Sequence, residues 1–219
     1  MPGSSRYRPL VATVLCVLAW LGLLTGCGGG SSSARQEQRP ASSAASEPST
    51  PALTNGKGDE QVVAGTYLAP AGFEPGLLLD VPAGWTSVHR YPDAFDLGQP
   101  DPDRDAPLLA VVFMRPSEGS ADAALAAVRR RATGQVTSVR GDLAGSAARG
   151  LDVVGGRGPL VASADGGISL DAAPGQRARV LATDVAGEPL VVVVLVPDGR
   201  RWDDLWPRAE ALLSGVTPS

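Results

Sequence analysis

Short apolar runs, separated by glycine, proline and acidic residues, fill the chain after residue 60 and predict β-strands. The run 108–114 is almost entirely apolar, which is typical of a central strand buried on both faces. The runs 177–185 and 190–196 flank a short Ala-Gly-Glu segment, so they predict a β-hairpin. Weaker patterns predict further strands at 77–81, 85–91, 135–140, 147–154 and 168–170.

Two stretches have the periodicity of amphipathic helices. In the first, Ser120 is placed to cap a helix, and Gly134 is placed to stop it. Its predicted apolar face consists of Ala121, Ala124, Leu125, Val128 and Ala132. The face of the second consists of Trp202, Leu205, Trp206, Ala209, Leu212 and Leu213. Because Pro207 lacks a backbone donor, we predict that the second helix begins near Asp204, which puts the proline in its first turn.

The predicted elements follow the order strands, one helix, further strands and a final helix. Such segregated runs favour an α+β fold over one in which strands and helices alternate. We therefore predict one globular domain at 61–219, in which a mostly antiparallel β-sheet packs against two helices.

The first 26 residues have the pattern of a bacterial secretory signal peptide. Two arginines precede the apolar run 10–24, which is about 15 residues long, whereas a membrane-spanning helix needs about 20. The run ends in Leu24, Thr25, Gly26 and Cys27, which resembles the bacterial lipobox. The resemblance implies cleavage before Cys27 and attachment of a diacylglyceryl group to its thiol. An uncleaved membrane anchor is the alternative.

Residues 27–60 comprise this cysteine and a segment of mainly Ser, Ala, Gly, Pro, Gln and Glu without any aromatic residue. Such a segment has too little apolar surface to offset its chain entropy, so we predict a disordered tether. A flexible coil of about 33 residues has a root-mean-square span of about 30 Å. We therefore expect the mature protein on the outer face of the cell membrane, held there by its lipid.

Charge and residue counts exclude several classes of function. The formal net charge is −4, and a mildly acidic chain lacks the basic footprint of nucleic-acid binding. Both cysteines, Cys16 and Cys27, precede the predicted domain, which can therefore hold neither a disulfide nor a cysteine-based metal site. The single histidine, His89, excludes a multi-histidine metal centre. We expect no metal and no other cofactor.

Several motifs of the predicted domain resemble a known group of proteins. Gly-Thr-Tyr at 65–67, Phe-Glu-Pro at 73–75 and Val-Pro-Ala-Gly-Trp at 81–85 are similar to the opening of uncharacterised actinobacterial secreted lipoproteins. The segment 175–180 and the closing run 212–216 fit the same pattern. More loosely, the chain resembles the PsbP/Mog1-like α/β sandwich, which mycobacterial lipoproteins of the LpqN type share. The resemblance implies an accessory or binding role and no shared reaction.

An acidic segment at 93–105 is the first candidate for chemistry. Asp101, Asp103 and Asp105 have the spacing of the first calcium ligands of an EF-hand loop. Ala106 stands where that loop needs glycine, and Val112 stands where it needs glutamate. The pattern therefore favours a solvated loop over a calcium site.

The other candidates also have simple structural explanations. No nucleophile motif accompanies His89, which favours a histidine on a strand surface over a catalytic base. The triplet 129–131 could contact an anionic lipid or polymer, but the pattern favours a solvated helix end. Trp85, Trp202 and Trp206 are explained by packing more simply than by ligand stacking.

These observations predict a membrane-tethered, non-enzymatic domain that binds an unknown protein or lipid of the cell envelope. The first alternative is a carrier of an apolar ligand, such as a lipid or glycolipid, which would need a deep apolar cavity of about 300 Å³ or more. The second is a hydrolase that uses carboxylates of the segment 93–105, which would need a carboxylate pair about 5–10 Å apart.

Overall fold

The computed structural model of the protein describes residues 50–53 and 61–219, apart from the side chains at 87–90 and 105. Its elements, in chain order, are β1 (Gly65–Leu68), β2 (Leu77–Val81), β3 (Thr86–Tyr91), β4 (Ala94–Asp101), β5 (Arg104–Met114), α1 (Ala121–Arg131), β6 (Gln135–Leu143), β7 (Ser146–Val154), β8 (Gly158–Ala162), β9 (Ser169–Ala172), β10 (Arg177–Val185), β11 (Glu188–Val196), α2 (Trp202–Ser214) and β12 (Val216–Pro218). A short 3-10 helix, Gly199–Arg201, precedes α2. The predicted α+β class, with a mostly antiparallel sheet and two helices, is confirmed.

A seven-stranded antiparallel sheet forms the centre of the domain, with strand order β3-β4-β5-β11-β10-β7-β6. The two most apolar strands, β5 and β11, are neighbours within it, and Val112 pairs with Val193. The predicted hairpin is β10–β11, which turns at Ala186 and Gly187. Strands β1, β2 and β12 form a separate three-stranded sheet, and β8 pairs with β9.

Alternation along the central strands divides the core between the two faces of this sheet. On the first, called the α2 face, Phe113 and Val192 pack against α2 and the three-stranded sheet. On the second, called the α1 face, Met114 and Val193 pack against α1 and the β8–β9 hairpin. Burial on both faces explains why β5 and β11 are apolar without interruption.

Helix α1 follows its prediction closely. The backbone N–H of Ala123 donates to Ser120 Oγ at 3.2 Å, so Ser120 is the N-cap. Asp122 lies in the first turn and three arginines lie in the last, where each charge suits the helix dipole. The helix buries Ala124 and Val128 against the sheet.

Helix α2 begins two residues earlier than predicted, at Trp202 instead of Asp204. Pro207 is therefore the sixth helical residue, beyond the first turn, and it removes the hydrogen bond to the carbonyl of Asp203. Both Asp203 and Pro207 are exposed, so water can satisfy that carbonyl. Burial of Trp202, which is 3% exposed, favours the longer helix.

The acidic segment 93–105 is not a loop, contrary to the prediction. It contains all of β4 and the start of β5, which pair as an antiparallel hairpin. Ala94, Phe95 and Leu97 are buried, but the aspartates and prolines around them make the segment resemble a loop in the sequence.

Residues 50–53 belong to the described structure, although the sequence assigns them to the tether. The backbone N–H of Leu53 donates to Leu68 O at 2.9 Å, and its side chain is 4% exposed. Ala52 forms a parallel bridge with Leu68. A few residues before position 61 therefore also pack against β1.

Candidate functional site

The predicted lipid-attachment residues lie outside the described part of the chain. These are Leu24, Thr25, Gly26 and Cys27, as well as Cys16. None of the helices described is long and apolar enough to cross a membrane.

Within the domain, a carboxylate and two arginines come together on the α2 face of the sheet. Asp152 lies on β7 directly opposite Arg179 on β10, and Arg177 is the diagonal neighbour. The Nε of Arg179 donates to Asp152 Oδ1 at 2.6 Å and its Nη2 donates to Oδ2 at 2.9 Å. Arg177 Nη2 donates to the same Oδ2 at 3.1 Å. Asp152 is 7% exposed, so this is a nearly buried and partly bidentate ion pair.

Two tryptophans of α2 cover these guanidinium groups. Trp202 and Trp206 are one helical turn apart, and their rings stack at 5.4 Å with an interplanar angle of 15°. The Cζ of Arg177 lies 4.5 Å from the Trp202 ring centroid, and that of Arg179 lies 4.0 Å from the Trp206 centroid. Both distances suit cation–π contacts. We call the five residues Asp152, Arg177, Arg179, Trp202 and Trp206 the arginine–tryptophan cluster.

The cluster holds its aspartate in the charged form. Burial by itself raises the pKa of the Asp152 carboxyl, but hydrogen bonds from Arg179 and Arg177, together with their charges, lower this pKa below its ordinary value. Since two guanidinium groups face one carboxylate, the cluster retains one positive charge. The buried Nε of Arg177 has no hydrogen-bond partner among the residues described.

A cleft opens beside the cluster, between α2 and the β6–β10 side of the sheet. We call it the α2 cleft; its volume is about 260 Å³. Arg179 and Trp206 form part of its wall, next to the apolar Leu181. Asp142 and Glu210 add carboxylates to the rim. The cleft therefore offers a polar ligand a planar guanidinium group, an aromatic ring and carboxylate groups that accept hydrogen bonds.

The aspartates weighed as calcium ligands lie where β4 turns into β5, and the side chain of Asp105 is outside the described part of the structure. Asp101 accepts a hydrogen bond from the backbone N–H of Asp103 at 3.1 Å, as in an ordinary turn. Across 50–53 and 61–219, no group of three or more His, Cys, Asp or Glu side chains is placed to hold a metal ion. His89 lies on β3, and its side chain is outside the described part of the structure.

The tryptophan predictions have two different outcomes. Trp85 is 1% exposed in the core of the α2 face, which confirms the packing explanation. Trp202 is also buried, whereas Trp206 is half-buried and borders the α2 cleft. Packing therefore explains Trp85 and Trp202. Trp206 packs against the core and is also accessible from the α2 cleft.

The core of the α2 face is filled by aromatic side chains. Phe95 stacks on Phe113 at 4.8 Å, and Phe73 meets Phe95 edge-on at 4.9 Å. These rings pack together in the core between the sheet and its cover. Their packing counts against a deep apolar cavity at this point of the core.

The charged members of the cluster were not among the predicted site residues, although the sequence contains a signal for them. Asp152 interrupts an apolar run between Leu151 and Val153, at a position that a two-sided core would fill with an apolar residue. Arg177 and Arg179 flank a buried alanine in the same manner. A charged residue inside a buried strand requires a partner, although the sequence does not say which one.

Comparisons with known proteins bear on the fold alone. No family model matches the chain, and no curated protein matches it. The solution structure of cyanobacterial PsbP (CyanoP) from Synechocystis sp. PCC 6803 is similar, with 16% identity, a TM-score of 0.42, and coverage of 72% of this chain and 95% of that one. A crystal structure from Bacteroides thetaiotaomicron VPI-5482 is similar at 11% identity and a TM-score of 0.43 over 72% of this chain. The match spans about half of that chain, 49%. At these TM-scores neither likeness assigns a family.

Proposed function

We propose that this protein is an extracytoplasmic lipoprotein, held on the outer face of the cell membrane through Cys27, whose domain binds a cell-envelope partner without catalysing a reaction. The lipobox at Leu24, Thr25, Gly26 and Cys27 supports the anchor. The segment after it supports a tether that lets the domain reach its partner.

The α2 cleft is the observation that carries the binding role. Its Arg179 is fixed by two hydrogen bonds to Asp152 and by the Trp206 ring, so the wall of the cleft is already ordered before a partner arrives. Ordered arginine and tryptophan side chains are the residue types that dominate binding energy at interfaces. A wall ordered in advance also loses little side-chain entropy on binding.

The anchor is tested by comparing three full-length chains in a related host: wild type, Cys27→Ser and Cys16→Ser. We expect wild type and Cys16→Ser to be processed and retained in the membrane fraction, because Cys16 lies inside the apolar run. Cys27→Ser should be released or remain as the precursor. Processed, membrane-bound Cys27→Ser protein would show that the anchor proposal is wrong.

The binding role is tested on intact cells with a photo-reactive amino acid placed in the full-length chain. At Glu210, on the rim of the α2 cleft, we expect a cross-linked product of one defined mass. At Glu188, an exposed residue at the start of β11, we expect none. Equal cross-linking at both positions, or none at either, would contradict a partner site in the cleft.

A further inference from the structure

A second groove, on the α1 face, gathers arginines from three elements. It lies between α1, β6 and β7 and has a volume of about 480 Å³. Arg129 comes from α1, Arg140 from β6 and Arg149 from β7, and all three line it. Leu125 and Leu151 add apolar surface between them. We call it the α1 groove.

The charges of this groove are only partly neutralised. Arg149 forms an ion pair with Asp122, the single acidic residue that lines the groove among those described. Arg129 Nη2 donates to the hydroxyl of Ser138 at 2.7 Å, which leaves its charge uncompensated. The side chain of Arg140 makes no hydrogen bond or ion pair with any described residue. Three positive charges against one negative charge leave a local excess of two, in a chain whose net charge is −4.

The strand register places two of these arginines face to face. Arg140 and Arg149 are direct cross-strand partners in the β6–β7 pair, and both are exposed on the α1 face. Like charges directly opposite each other destabilise a sheet. An anion between the two guanidinium groups would convert this repulsion into attraction. Planar guanidinium groups suit the tetrahedral oxygens of phosphate because each can donate two parallel hydrogen bonds.

We propose that the α1 groove binds a phosphate group, presented either by a phospholipid headgroup or by a soluble phosphodiester. Arg140 and Arg149 hold the phosphate oxygens, and Arg129 adds charge from the helix. Leu125, which is partly exposed, contacts the carbon atoms that flank the phosphate. The inference goes beyond the proposed function, because the groove lies on the opposite face of the sheet from the α2 cleft; only Arg140, on the edge strand, borders both.

The experiment uses the full-length protein in micelles of an uncharged maltoside detergent and follows the arginine Nε–H signals by NMR. One arm adds glycerophosphoglycerol as a soluble phosphodiester, and the other adds phosphatidylglycerol to the micelles, with phosphatidylcholine as the zwitterionic control. We expect saturable shifts of the Arg140 and Arg149 signals. Saturation by the soluble probe identifies a soluble phosphate as the source, whereas saturation by phosphatidylglycerol alone identifies the headgroup.

Substitutions decide whether the groove is responsible. We expect Arg140→Gln and Arg149→Gln each to weaken binding by about tenfold or more, since each removes a hydrogen bond between charged groups. Arg130→Gln removes the same charge from an exposed position outside the groove and should change the affinity less than about twofold. Circular dichroism checks that each variant is folded.

Three results overturn the proposal. The first is the absence of saturable shifts with either probe. The second is equal weakening by Arg130→Gln, which indicates diffuse charge attraction. The third is weakening by Arg140→Gln but not by Arg149→Gln, which places the anion in the α2 cleft. None of these results depends on whether Cys27 carries a lipid or whether a partner binds the α2 cleft.

Discussion

The arginine–tryptophan cluster and the α1 groove use the same side chain in opposite ways. In the cluster, Arg177 and Arg179 share the nearly buried Asp152 and lie under tryptophan rings. In the groove, Arg140 is exposed and has no partner among the described residues. A buried guanidinium group must be paired to remain charged, whereas an exposed one is solvated by water. The first set of arginines therefore orders the structure, whereas the second keeps its capacity to bind an anion.

The largest effect should come from removing the carboxylate of the cluster. Asp152→Ala leaves two partly buried guanidinium groups without their anion, and we expect a loss of about 3–5 kcal/mol in the free energy of unfolding. The matched control is Asp122→Ala, which breaks the exposed pair with Arg149 and should cost about 0.2–1 kcal/mol. Urea unfolding followed by circular dichroism measures both. Equal losses would remove the distinction between the two arginine sets.

A smaller effect should follow from removing one ring of the tryptophan stack. Trp206→Leu keeps apolar bulk but loses the stacking on Trp202 and the cation–π contact with Arg179. We expect a loss of about 1–2 kcal/mol in the free energy of unfolding. Trp206→Phe retains an aromatic face and should lose less. Urea unfolding measures both variants. If Trp206→Leu and Trp206→Phe lose the same free energy of unfolding, the aromatic ring does not stabilise Arg179.

The smallest effect should be a change of stability with pH. Because the folded pKa of Asp152 is lowered, its carboxylate stabilises the fold above the unfolded pKa of about 3.9. This contribution is lost as the pH falls through the lower folded value. We expect the unfolding free energy of wild type to fall more steeply below about pH 4 than that of Asp152→Asn, which cannot titrate. Urea unfolding at each pH measures both proteins. If their unfolding free energies change with pH in parallel, the pairing of Asp152 with the two arginines is contradicted.

The parts of the fold that were predicted correctly depend on local patterns. The β10–β11 hairpin was predicted because two apolar runs flank a short Ala-Gly-Glu segment, and α1 was predicted because Ser120 caps a periodic face. β4 was missed because its apolar residues are interspersed with aspartate and proline, which are also typical of loops. Tertiary contacts supply its stability: Phe95 pairs with Phe113 across the β4–β5 register.

The candidate sites depend on distant contacts, which the sequence does not specify. Asp152 and Arg179 belong to neighbouring strands, but the β8–β9 hairpin separates those strands along the chain. A register shift of one residue would move either side chain to the other face of the sheet. Arg140 and Arg149 are closer in sequence, yet their direct opposition depends on the short turn at Ala144 and Gly145. The sequence therefore does not show which arginines are paired.

The three-stranded sheet has a consequence for the order of events during folding. Strand β2 lies between β1, which precedes it closely, and β12, the last strand described. Pairing of β2 with β12 joins segments that are more than 130 residues apart, so its loop-closure cost is high and we expect it to form late. Until then β2 has one open edge, with Leu77 and Leu79 beside it. Completion of this sheet thus depends on a distant contact, however early the hairpin β10–β11 forms.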